Sequence, residues 1–67
     1  MSLSVPLFDI FQGHYSGKNA IWVAAARGLA AARERMAQLA ADKPGPYFVF
    51  STRDQLVLAI IDTGPAS

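Results

Sequence analysis

The sequence predicts an α+β domain in the order ββαββ: a four-stranded, mainly antiparallel sheet with one helix on one face. Three observations predict it. Residues 29 to 41 carry one apolar stripe at helical spacing. The segment from Tyr47 to Ile61 holds two aromatic and β-branched runs separated by the polar pair Arg53-Asp54. Near the start, LFDIFQ (residues 7–12) alternates like a strand and runs into turn chemistry.

The helix organises the rest. At about 100° per residue, Leu29, Ala32, Met36, Leu39 and Ala40 fall on one face, opposite Arg27, Glu34 and Gln38. Its end is marked by Lys43, whose cation suits the carbonyl end of the dipole, and by Pro44-Gly45-Pro46, which cannot continue the hydrogen-bond ladder.

In the first strand, Leu7 to Gln12, Phe8 and Ile10 face one side and Leu7, Asp9 and Phe11 the other. Gly13 to Asn19 (GHYSGKN) reads as a turn. The next piece, AIWVAAA at residues 20–26, admits two readings. Ile21, Trp22 and Val23 favour a strand, whereas the alanines favour a helix capped by Asn19. The second reading gives βαββ, with a longer helix from about residue 20. Gly28 opposes it, because an interior glycine costs roughly 1 kcal/mol relative to alanine. The preferred reading makes residues 21–24 a second strand hairpinned to the first, with the helix starting near Arg27 or Gly28. Tyr47 to Thr52 is the third strand and Leu56 to Ile61 the fourth. Residues 1–6 are expected to fray and residues 62–67 to form a loose tail. The domain is single, spanning 1–67 with an ordered core at about 7–62.

Size sets the energetic problem. A chain of 67 residues buries only about 60% of the surface that its unfolded form exposes. Such chains often add disulfides, a metal or a partner subunit. There is no cysteine, and His14 is the single histidine, which disfavours disulfides and a zinc site. Association is the remaining route, and 52% hydrophobic residues favour it. The net charge of +1 gives no broad field for nucleic acid. Residues 1–6 lack the features of a secretory signal, and no apolar run approaches the roughly 18 residues of a membrane span. A soluble cytoplasmic protein, with no membrane partner, is the expectation.

Alternation exposes a second problem. Tyr47 and Val49 occupy one face of the third strand and Phe48 and Phe50 the other, so both faces are apolar. The fourth strand is apolar on both faces as well. One helix covers only one face of a sheet, and a solvated face should carry polar residues. Large exposed apolar patches mark interfaces. The expected interface comprises Tyr47, Phe48, Phe50, Leu56, Leu58 and Ile60, and the expected partner is another copy, as a dimer, or another protein.

Trp22, Gly28-Leu29, Ala32, Arg35-Met36, Ala40, Pro44-Gly45 and Tyr47-Phe48-Val49-Phe50 together resemble a pattern in small uncharacterised bacterial single-domain proteins, W…GL..A..RM..[LI]A…PG.YFVF. The resemblance covers most of residues 8 to 61. Its motifs are a helix face, a helix stop and a strand. It implies the same element order and supplies no activity, ligand or catalytic residue.

Candidate chemistry is sparse. His14 and Tyr15, with Asp9 upstream, would suit a proton-transfer loop, but an acid or base must be oriented by partners and none is visible. The plainer reading is polar turn decoration. Ser16-Gly17-Lys18 resembles the end of a phosphate loop, yet the spacing from Gly13 is short by one residue and Asn19 stands where Ser or Thr belongs. Trp22 reads as core or interface before a binding platform. Lys18, Arg27, Arg35 and Arg53 would make a nucleic-acid surface if they converged beside the aromatics, but Tyr47-Phe48-Val49-Phe50 lacks the RNP1 pattern. Arg33 lies at the margin of the core stripe, where its stem can snorkel. Arg53-Asp54 reads as a solubilising turn, and Ala30, Ala37 and Ala41 as a flank of small helix formers. No catalytic, cofactor-binding or metal-binding residue is assigned. The leading expectation is a small non-enzymatic association module. A nucleic-acid-binding or regulatory module comes next, and a small enzyme working from the His14 loop comes last.

Overall fold

The computed structural model describes residues 5–17 and 19–63. Its elements run β1 (Leu7–Gln12), β2 (Ile21–Arg27), α1 (Leu29–Asp42), β3 (Pro46–Ser51) and β4 (Leu56–Asp62). The order is ββαββ, and the four strands form one sheet arranged β2-β1-β3-β4. Every neighbouring pair is antiparallel.

The ambiguous AIWVAAA segment is a strand, and it runs further than the sequence suggests, to Arg27. Its alanines gain ladder partners from β1: Ile10 pairs with Ala24, Phe8 with Ala26 and Leu7 with Arg27. Tertiary pairing thus overrides the helix propensity of alanine. Gly28 makes the junction. It holds φ +87° and ψ 148° at the N-cap, a conformation open to glycine and strained for other residues. Its N–H donates to the Pro6 carbonyl at 2.9 Å, and its carbonyl accepts from Ala32 at 3.0 Å. Asn19 caps nothing. Gly13 and Ala20 approach closely, so that a Cβ on Gly13 would lie 2.9 Å from the Ala20 Cα.

The buried stripe of α1 is Ala32, Met36 and Ala40, with Leu39 half-buried beside it. Leu29 was expected on this face. As the first residue of the helix it is exposed instead. The stripe packs on Phe8 and Ile10 of β1 and on Tyr47 and Val49 of β3, with Ala24, Ala26, Ala59 and Ile61 at the sides. The residues that β2 and the helix contribute at this contact are largely small: Ala24, Ala26, Ala32 and Ala40.

The end of α1 is tied to the sheet. Lys43 N–H donates to the Leu39 carbonyl at 2.8 Å. The Tyr47 hydroxyl donates to the Lys43 carbonyl at 2.6 Å, and the Leu39 carbonyl lies 3.3 Å away. Such bonds use carbonyls that a helix end leaves without intrahelical partners. The tail expected from Asp62 onward is also docked at its start. Asp62 belongs to β4, and Thr63 N–H donates to the Gly45 carbonyl at 3.1 Å. The Thr63 hydroxyl accepts from Gly45 N–H and donates to the Ala40 carbonyl, each at 3.4 Å. Residues 1–4 and 64–67 lie outside the described residues.

Candidate functional site

The sheet has one face under the helix and one that no other element among the described residues covers. Antiparallel pairing puts directly opposed residues on the same face, which allows the open face to be mapped in rows. Trp22 pairs with Phe11, Phe11 with Phe48 and Phe48 with Ile60. One row of four large apolar side chains therefore crosses the whole sheet. The next row is Ala25, Asp9, Phe50 and Val57, and beyond it stand Arg27 and Leu7.

The middle of the face is already packed. Phe11 and Phe48 stack with centroids 5.1 Å apart and an interplanar angle of 10°. The Phe50 ring meets Phe11 edge-on at 6.4 Å. These are the geometries aromatic quadrupoles prefer. Phe48 is only 6% exposed, yet it is not part of the cluster under the helix. It is the seed of a second core on the opposite side. The edges of the row stand proud: Trp22 is 56% and Ile60 59% exposed. Leu7 is also exposed.

Two bulges decide who joins this face. On β2 the register skips Val23, so that Ile10 pairs with Ala24 but Phe11 with Trp22. Without the skip, Trp22 would share the helix side with Ala24 and Ala26. Its indole N–H donates to Asp9 Oδ1 at 3.1 Å. On β4 the register skips Leu58, so that Val49 pairs with Ala59 but Phe50 with Val57.

Of the six residues expected at the interface, Phe48, Phe50 and Ile60 lie on the open face. Leu58 is the exposed extra residue of the β4 bulge. Two do not belong there. Tyr47 is 2% exposed under the helix, with its hydroxyl engaged by the helix end. Leu56 is 55% exposed but pairs with Ser51, which alternation places on the helix side. The bulge moved it off the open face. Strand alternation alone leaves Trp22 out of this face and puts Leu56 on it for one reason: a single inserted residue reverses the facing of everything beyond it.

The basic residues sit on three different elements. Arg27 ends β2 on the open side, Arg35 lies on the helix with its guanidinium 3.4 Å from Gln38 Oε1, and Arg53 is in the β3–β4 turn. Lys18 lies outside the described residues. The two central phenylalanines also spend a ring face on each other, which leaves less free π-surface than a base-stacking platform presents.

His14 is exposed in the first loop. Its backbone carbonyl accepts from Gly17 N–H at 2.9 Å, and among the described residues no hydrogen bond reaches its side chain. Asp9, the carboxylate expected nearest to it, is held by Trp22. Gly17 N–H is thereby used within the turn, so it does not point at a phosphate. Among the described residues there is no group of three or more His, Asp or Glu side chains placed to share a metal ion. No helix among them is long and apolar enough to cross a membrane. Ser51 is the buried polar residue of the β3–β4 hairpin. Its hydroxyl donates to Asp54 Oδ2 and accepts from Asp54 N–H, both at 3.2 Å. Ala30, Ala37 and Ala41 are exposed on the helix.

Comparison of the chain with protein-family models, with curated proteins and with solved structures returned no match.

Proposed function

We propose that this chain is a small non-enzymatic association module whose open sheet face is its interface, either with itself or with another protein. The observation that carries the reading is the row Trp22–Phe11–Phe48–Ile60. A solvated sheet face of a small antiparallel protein alternates toward polar side chains. This one presents aromatics and aliphatics across its full width, with Asp9, Arg27 and, beyond Ile60 in the row of Pro46, Asp62 as its charges. Contiguous apolar surface of this kind marks a contact site. The exposed His14, with no orienting partner, supports leaving catalysis out of the reading. A cytoplasmic setting goes with it, since a cysteine-free chain gains nothing from an oxidising compartment.

The test is the solution mass by light scattering, over a series from about 1 µM to 1 mM, since association follows mass action. The same series is run with lysate proteins from the source cell offered as partners. A mass above that of the monomer, or a stoichiometric complex lost on Ile60→Asp, is the expected result. A monomer that takes no partner through this face would end the reading.

A further inference from the structure

We infer that the occupant of the open face is a second copy of this chain. The two sheets would pack face to face across a two-fold axis near the Phe11–Phe48 stack, enclosing Trp22. The inference rests on the reading of that face as an interface, and narrows its occupant to one.

Area is the first argument. Four strands spaced about 4.8 Å apart and about six residues long at ~3.4 Å each make a face of roughly 20 by 20 Å. Two such faces, corrugated by their side chains, remove on the order of 1,000 Å² from water, the lower end of what a specific interface needs. The face is therefore the right size for its own copy.

The second argument is the small size of the chain's own core. The cluster under the helix is Phe8, Ile10, Ala32, Met36, Ala40, Tyr47 and Val49, and two of these seven are alanine. A cluster of seven side chains is a small core, and no disulfide compensates. A sheet-on-sheet contact would add a second core built on Phe48. Stability that depends on a partner is best served by one present whenever the chain is, which is another copy.

The edges supply the third argument. Exposed edge strands invite strand-to-strand pairing, and bulges discourage it. Both edge strands here, β2 and β4, carry a bulge. Association is thereby directed from the edges to the face. A single self-complementary patch used twice closes at two copies and builds no filament. A net charge of +1 leaves little repulsion between copies.

Trp22 is the single tryptophan, so its fluorescence reports on this face. The experiment combines sedimentation equilibrium with Trp22 emission and iodide quenching over one dilution series. Three chains are compared: the unsubstituted protein, Ile60→Asp on the open face, and Ala37→Glu on the exposed side of the helix. Circular dichroism checks that each is folded. The expected result is a dimer whose dissociation is accompanied, with the same midpoint, by a red shift and a rise in Trp22 quenching. Ile60→Asp should weaken that dimer by about 100-fold or more, since it places an unpaired charge in an apolar contact, and Ala37→Glu should leave it unchanged. A dimer disrupted by Ala37→Glu and indifferent to Ile60→Asp would overturn both the inference and the reading beneath it. A persistent monomer would overturn the inference. In that case anilinonaphthalene sulfonate binding, lost in Ile60→Asp, would keep the face as a site for another protein, and no such binding would remove that too.

Discussion

The indole N–H of Trp22 donates to Oδ1 of Asp9 at 3.1 Å, although the two residues occupy different rows of the sheet. Asp9 is paired with Ala25, and Trp22 with Phe11. The bulge at Val23 brings them to one face, and the long indole spans the diagonal. The bond gives the one carboxylate in the middle rows a partner without placing a cation there. It also holds the Trp22 ring at the margin of the phenylalanine stack.

Because this bond is exposed in the single chain, its coupling energy there should be small. A double-mutant cycle of Asp9→Ala and Trp22→Phe, read by urea unfolding at a dilution where the chain is a monomer, should give a coupling below about 1 kcal/mol. Repeated at a concentration where the open face is occupied, the cycle should give a larger value, and an equal one would show the pair still open to water.

The bond from Tyr47 to the helix end is of another kind. The hydroxyl belongs to a buried side chain, and its removal leaves the Lys43 carbonyl without that donor. Tyr47→Phe should lower stability by about 1–2 kcal/mol. The far-ultraviolet spectrum should not change, because the ring still fills its place under the helix.

Gly28 joins β2 to α1 at φ +87° and ψ 148°, and a Cβ there would come within 3.3 Å of Val5 Cγ1. Gly28→Ala should cost about 1–3 kcal/mol from the backbone conformation alone. Thermal unfolding measures it. An unchanged midpoint would show that the junction tolerates another geometry.

Gln55 closes the β3–β4 turn with φ +55°, the one positive value among the described non-glycine residues. The left-handed conformation costs a side-chain-bearing residue roughly 1–2 kcal/mol. Gln55→Gly removes that strain but enlarges the entropy of the unfolded chain by part of the same amount. The expected net effect is a gain of a few tenths to about 1 kcal/mol, seen as a higher urea midpoint with an unchanged slope.

Local chemistry made much of this fold legible. Pro44-Gly45-Pro46 ends the helix wherever the rest of the chain goes, and the period of Ala32, Met36 and Ala40 is helical without reference to a sheet. In β1, alternation correctly placed Phe8 and Ile10 together, opposite Leu7, Asp9 and Phe11. It could do so because β1 carries no bulge of its own. The extent of β2 was less legible. Ala24 to Ala26 have no strand preference of their own and became strand through pairing with β1.

The candidate site was legible to the same depth. Phe48, Phe50 and Ile60 could be assigned to a second apolar face from the sequence. Alternation puts Tyr47 with Val49 on the face opposite Phe48 and Phe50, against its place in the expected interface, and only the helix end above it shows where its hydroxyl is satisfied. Ser51 gave no sequence signal beyond its place before a turn. Its bonds to Asp54 appear only once β3 and β4 are paired.

By itself the sequence determined the order of elements, the helix face and the apolar character of the sheet face that the one helix does not cover. Propensity, period and turn residues act within a few positions of one another, so the chain carries that information locally. The tertiary structure alone decided that Trp22 stands on the open face and Leu56 on the other. That decision lies in the registers of β2 against β1 and of β4 against β3. Each depends on one inserted residue between strands, and such an insertion reverses the facing of the residues beyond it without leaving a mark in the alternation.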